Sequence, residues 1–140
     1  MTKIEIDNFY VGRCEEVMKG IDSESIDMVL TSPPYADQRS YGIKNSKIKP
    51  DGEWFKPMAH QIYRVLKNNG SFILNINDKV VDGFQHLYVL KLVIYLCEEL
   101  NFHLVRDYIW YNPATPPNVY SRGGYGRTKK SHEYCFWFSK

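Results

Sequence analysis

Apolar residues along this chain fall into two kinds of pattern: short continuous runs, and stripes at helical spacing. The run from Ile26 to Thr31 is continuous rather than alternating, as in a parallel strand covered on both faces. From Gly52 to Lys67, Phe55, Met58, Ala59, Ile62, Tyr63 and Leu66 recur at steps of three and four, which predicts a helix. Asn69-Gly70 should stop it, since either residue tolerates a left-handed cap. Ser71 to Ile76 then reads as a strand. A second helix is predicted over Gln85 to Leu100, with Tyr88, Leu92, Leu96 and Leu100 on one stripe and Asn101 as its cap. Phe102 to Tyr111 and Glu133 to Ser139 read as strands. Nearer the start, Phe9-Tyr10-Val11 is a short strand candidate. Cys14 to Ile21 is a short helix with Val17, Met18 and Ile21 facing inward.

Two stretches break the periodicity. Lys44 to Asp51 is polar, contains Pro50 and reads as loop. Asn112 to Lys130 holds three prolines and three glycines and no acidic residue. It predicts a loop of unusual length. Strands alternating with helices imply an α/β fold with a mostly parallel sheet, flanking helices and right-handed crossovers. The last strands are candidates for an antiparallel departure.

Composition narrows this little. The 140 residues suit one domain, and 44% apolar with 24% charged content is ordinary for a globular chain. A net charge of +2 is too small to demonstrate a nucleic-acid partner by itself. Cys14, Cys97 and Cys135 are odd in number and widely spaced. They read as reduced thiols of a cytoplasmic protein rather than a disulfide framework. His60, His86, His103 and His132 show no ligand spacing, so no metal is expected. The apolar patch around Val89 to Leu96 is broken by Lys91 and is too short to span a bilayer.

The chemistry concentrates where the first continuous run ends, at Thr31-Ser32-Pro33-Pro34-Tyr35. In open α/β sheets the reactive crevice lies beyond the carboxyl ends of the strands. Pro33 and Pro34 fix φ and lack N–H groups, which leaves their carbonyls as acceptors in a stiff turn. Ser32 adds a hydroxyl, and Tyr35 adds a flat ring that can stack on another. Such a corner suits a planar group bearing an amine. The plainer alternative is that Pro-Pro stops the strand while Tyr35 packs on the core edge.

The Ser32 to Tyr35 stretch resembles the catalytic motif of amino-directed DNA methyltransferases, in the serine-bearing version more typical of cytosine-N4 than adenine-N6 enzymes. Around it, Asp22 to Tyr35, Tyr63 to Ile76, Asp107 to Pro113 and Ser131 to Lys140 are similar to the same family in order. The resemblance implies a partial Rossmann-like S-adenosylmethionine-dependent methyltransferase fold. It also implies that residues 1–140 are the amino-terminal catalytic portion of a circularly permuted enzyme. Its recognition region and cofactor-binding half would then lie outside this chain, in a carboxy-terminal half or a complementary subunit.

The activity implied is methyl transfer to the N4 amine of a cytosine flipped out of double-stranded DNA. Adenine N6 is the alternative base. A non-catalytic DNA-binding or assembly fragment is the alternative role. By resemblance, Ser32 and the Pro33 carbonyl accept hydrogen bonds from the target amine, within a catalytic set of Ser32, Pro33, Pro34 and Tyr35. Tyr35 stacks on the base after extrusion. Arg39 and Tyr41 are DNA-binding candidates. So are Arg122, Arg127, Lys129 and Lys130 of the long basic loop, 112–130, interleaved with Tyr120 and Tyr125. That loop also reads as a solvated basic segment. Trp110 and Tyr111 are open to two readings, pocket lining or core. For S-adenosylmethionine, Asn75, Asn77 and Asp78 are weak candidates by position. The family's glycine-containing cofactor loop has no counterpart, because Gly123-Gly124-Tyr125-Gly126 does not join a strand to a helix.

Overall fold

A computed structural model describes residues 5, 7–34, 52–81, 84–113 and 131–140. The elements in chain order are α1 (Cys14–Val17), a 3-10 turn (Met18–Gly20), β1 (Ile26–Thr31), a 3-10 turn (Glu53–Phe55), α2 (Lys56–Val65), β2 (Leu66–Ile76), β3 (Val80–Val81), β4 (Phe84–Gln85), α3 (Tyr88–Glu98), β5 (His103–Tyr111) and β6 (His132–Ser139). The main sheet has the order β1-β2-β6-β5, and β3 with β4 forms a separate two-stranded ribbon.

The expectation of a mostly parallel sheet fails. β1 pairs parallel with β2, but β6 is antiparallel both to β2 and to β5. Strands β1, β2 and β5 therefore point the same way, and β6 alone is reversed. Because β6 sits between β2 and β5, its single reversal makes two of the three ladders antiparallel. Consecutive strands can pair antiparallel without a crossover helix, whereas a parallel pair needs one. Here α2 supplies that crossover between β1 and β2.

Both helical stripes are real. Phe55, Ala59 and Ile62 are buried, as are Tyr88, Leu92, Leu96 and Leu100, and Met58 and Tyr63 pack against the same core. Pro57 sits in the first turn of α2, where its missing N–H is harmless. Asn101 ends α3 in the left-handed conformation (φ 60), and the Phe102 N–H returns to the Leu96 carbonyl at 3.0 Å.

Asn69-Gly70 does not act as predicted. Helix α2 stops at Val65, Leu66 is already extended, and the strand begins there. Gly70 is needed for close approach instead. A Cβ on it would lie 2.9 Å from the Lys67 carbonyl oxygen and 3.2 Å from that of Asp27. Nor is Phe9-Tyr10-Val11 a strand; it has no ladder partner among the described residues, and Phe9 and Val11 are exposed. The predicted helix at Cys14 is divided between α1 and the 3-10 turn. Arg64 of α2 holds this segment, donating to the Met18 and Ile21 carbonyls at 2.7 and 2.9 Å.

The two sides of the sheet differ. On one, Phe72, Leu74 and Ile76 of β2 and Phe136 and Phe138 of β6 lie under α2 and α3, none more than 4% exposed. Register places Met28, Leu30, Ile73, Trp137, Tyr108 and Trp110 on the other side. There Met28 is 59%, Leu30 67% and Trp110 58% exposed. The continuous run in β1 is thus covered on one face only among the described residues.

Candidate active site

Since β1, β2 and β5 are codirectional, their carboxyl ends and the start of β6 share one edge of the sheet. This edge gathers Ser32-Pro33-Pro34, Asn75 to Asp78, Trp110 to Pro113, and Ser131 to Glu133. Thr31 pairs with Leu74, so Ser32 comes to the level of Asn75. The Ser32 hydroxyl donates to Asn75 Oδ1 at 3.0 Å. Asn75 is 8% exposed, and its Nδ2 donates to the Tyr134 backbone carbonyl of β6 at 3.1 Å. Three strands are therefore tied together by one side-chain amide beside the serine. Pro33 is buried and Pro34 exposed, which anchors the turn on one residue and presents the next.

The neighbouring residues extend a polar floor. The Asn77 backbone carbonyl accepts from the Tyr88 hydroxyl at the start of α3, while its Oδ1 is buried with no hydrogen-bond partner. Asp78 is buried and accepts from Gln85 Nε2 of β4. A buried acceptor without a donor is uncommon and marks a place where a ligand donor would be favourable. Asn77 thus fits one flank of a polar ligand such as S-adenosylmethionine. The described residues contain no glycine turn between a strand and a helix that would complete such a site.

The structure brings together part of the predicted set. Ser32, Pro33, Pro34, Asn75, Asn77 and Asp78 share the edge. Tyr35, Arg39, Tyr41, Arg122, Arg127, Lys129 and Lys130 lie outside the described residues. Trp110 and Tyr111 reach the same edge but are exposed, so the reading of them as core does not hold here. Burial pushes the Cys97 thiol up, away from a reactive thiolate. Sequence reasoning missed the Tyr134 carbonyl, because a backbone acceptor leaves no residue-type signal. It also missed the β3–β4 ribbon that supplies Gln85.

The chain matches a family model described as DNA methylase over residues 26–140, and it belongs to this N6/N4 methylase family. Type II methyltransferase M.PvuII of Proteus hauseri is 29% identical over 137 residues, covering 95% of this chain and 41% of that protein. M.HinfI of Haemophilus influenzae is 31% identical over 147 residues, covering 92% of this chain and 37% of its own length. The solved PvuII DNA methyltransferase (cytosine-N4-specific) superposes with a TM-score of 0.75 at 28% identity, over 93% of this chain and 48% of that one. The chain thus spans under half the length of these relatives. TTHA0409 of Thermus thermophilus, solved with S-adenosyl-L-methionine, shares the fold at a TM-score of 0.67 and 21% identity.

Proposed function

We propose that this chain is the catalytic portion of a DNA methyltransferase that presents the N4 amine of a cytosine for methylation. The observation that carries the reading is the serine-proline corner, held at the strand end by Asn75. Likeness to a solved enzyme titled cytosine-N4-specific supports the choice of base. An exocyclic amine conjugated to a base ring is a poor nucleophile. Acceptors that bind its hydrogens draw electron density toward nitrogen and turn the lone pair outward, and a fixed corner does this without reorganisation. Ser32 and the Pro33 carbonyl are the proposed acceptors, and Tyr35 the stacking ring. S-adenosylmethionine supplies the methyl group when bound, with Asn77 and Asp78 on this chain's side of it. No cysteine is required.

The bare sheet face supports a second part of the proposal. Exposed apolar patches of this kind mark interaction surfaces, and this chain aligns to under half the length of the matched relatives. A complementary polypeptide, joined or separate, is proposed to cover Met28, Leu30 and Trp110 and to complete the cofactor site. Duplex DNA is the proposed substrate. Arg39, Tyr41 and the basic residues Arg122, Arg127, Lys129 and Lys130 are its proposed contacts.

The test is transfer of labelled methyl to mixed-sequence duplex DNA, by the chain alone and with its complementary half supplied, followed by identification of the modified base. The reading expects N4-methylcytosine from the completed protein. N6-methyladenine would reverse the choice of base, and no transfer would leave a DNA-binding or assembly role.

A further inference from the structure

We propose that α3 carries a second apolar face through which two copies of this chain pair, helix against helix, in opposite directions about a twofold axis. Nothing in this depends on the methyltransferase reading. Helix α3 (Tyr88–Glu98) buries one stripe, Tyr88, Val89, Leu92 and Leu96, on the sheet. At about 3.6 residues per turn, Leu87, at its amino-terminal cap, Leu90 and Ile94 fall on the opposite side. They are 53%, 46% and 53% exposed. A surface helix ordinarily turns charged or polar residues outward from its one apolar stripe, and α3 instead shows apolar residues on both sides. The steps from Leu87 to Leu90 and from Leu90 to Ile94 are the alternating steps of a helix–helix seam. Half-buried Cys97 continues the same rhythm. The stripe faces away from the sheet, so it is a separate surface from the bare face of Met28 and Leu30.

Charge selects the occupant. Lys91 and Glu98 flank the stripe on one side, about two turns apart, and both are exposed. Neither forms an ion pair among the described residues. A second copy laid antiparallel and centred near Ile94 sets Ile94 against its own counterpart, Leu90 against Cys97, and Lys91 beside Glu98. The twofold axis repeats every contact, so an opposite-charge pair closes both ends of the seam. A parallel arrangement would set Lys91 against Lys91 and Glu98 against Glu98. Antiparallel helices also bring each positive amino end toward a negative carboxyl end. One strip of side chains falls well short of a standard interface, so the pairing is weak and concentration-dependent rather than obligate.

The test follows the mass of the full chain by sedimentation as its concentration rises through the micromolar range. Reducing conditions keep exposed Cys14 from linking copies. The wild type should pass from monomer to dimer. Ile94→Glu should weaken dimerisation about tenfold or more, since a carboxylate then meets its own counterpart at the centre. Lys91→Glu and Glu98→Lys, each alone, should weaken it about 3- to 10-fold, as two attractive pairs become repulsive. Mixed together, these two variants should pair with each other at wild-type strength, because every contact is again opposite in sign. A monomer at every concentration overturns the inference. So does a dimer indifferent to Ile94→Glu, or a mixture of the two charge variants that fails to recover. Thermal melting exposes two other occupants. If Ile94→Glu lowers the Tm of a chain that stays monomeric, another segment of this chain covers the stripe. If it leaves the Tm alone but blocks binding of the complementary half, the stripe belongs to that polypeptide. Either result overturns pairing between copies, and neither bears on the reaction proposed above.

Discussion

The two faces of this sheet are built from similar residues and have different fates. Under α2 and α3, five large side chains of β2 and β6 are 4% exposed or less. On the opposite face of the edge strands β1 and β5, Met28, Leu30, Tyr108 and Trp110 are more than half exposed. An apolar side chain gains free energy from burial, about 1.5–3 kcal/mol when it is complete, and the second face has not taken that gain. Over β2 and β6 the covered face is a finished core, whereas β5 is exposed on both faces, with Ile109 at 55% and Tyr111 at 65% on the helix side. Met28 and Leu30 lead along β1 to Ser32, just past its end, so a partner on this face would come to rest beside the serine-proline corner. The first face holds the chain together, and the second is the one proposed above to meet the complementary polypeptide.

The comparison can be broken by mutation, and Phe72→Ala should have the largest effect. Phe72 is fully buried among Phe55, Phe102 and Phe138. Its loss should destabilise the chain by about 3–5 kcal/mol in denaturant titration. Gly70→Ala comes next, at about 1–3 kcal/mol, because the added methyl meets two backbone carbonyls that can move little. Leu30→Asp should change the stability of the chain alone by no more than about 0.5 kcal/mol. The same variant should abolish recovery of transfer when the complementary half is supplied. A large stability loss in Leu30→Asp, or normal recovery of transfer, would show that the exposed face is not the joining surface. The smallest effect belongs to Lys67→Ala. Lys67 pairs with Asp27 at 2.6 Å, both well exposed, and the loss should stay below about 1 kcal/mol.

Much of this was legible in the amino-acid order. The stripes from Phe55 and from Tyr88 mark the helix sides that face the core, and the corner at Ser32 lies at a strand end as expected. The direction of β6 was not legible. Its own pattern says how it is buried, not which neighbour it joins, and placing it between β2 and β5 settles the sheet's character. The switch at Leu66 was hidden because an apolar residue there suits both the helical stripe and the strand. Gly70 looked like a cap when its role is steric. The continuous run at Ile26 to Thr31 called for cover on two faces, and the described chain provides one.

The site itself was half readable. Serine, two prolines and tyrosine announce a stiff polar corner, and position alone drew attention to Asn75. The bond from Asn75 to Ser32 depends on register between β1 and β2, and the bond to Tyr134 depends on the unanticipated ladder with β6.

The central claim, that the corner acts on a base amine, is tested most directly by Ser32→Ala in the transfer-competent protein. kcat/KM for methyl transfer should fall by about 10²–10³-fold, the loss expected for one preorganised hydrogen-bonding group, while duplex binding changes little. Transfer at the wild-type rate by Ser32→Ala would contradict the account.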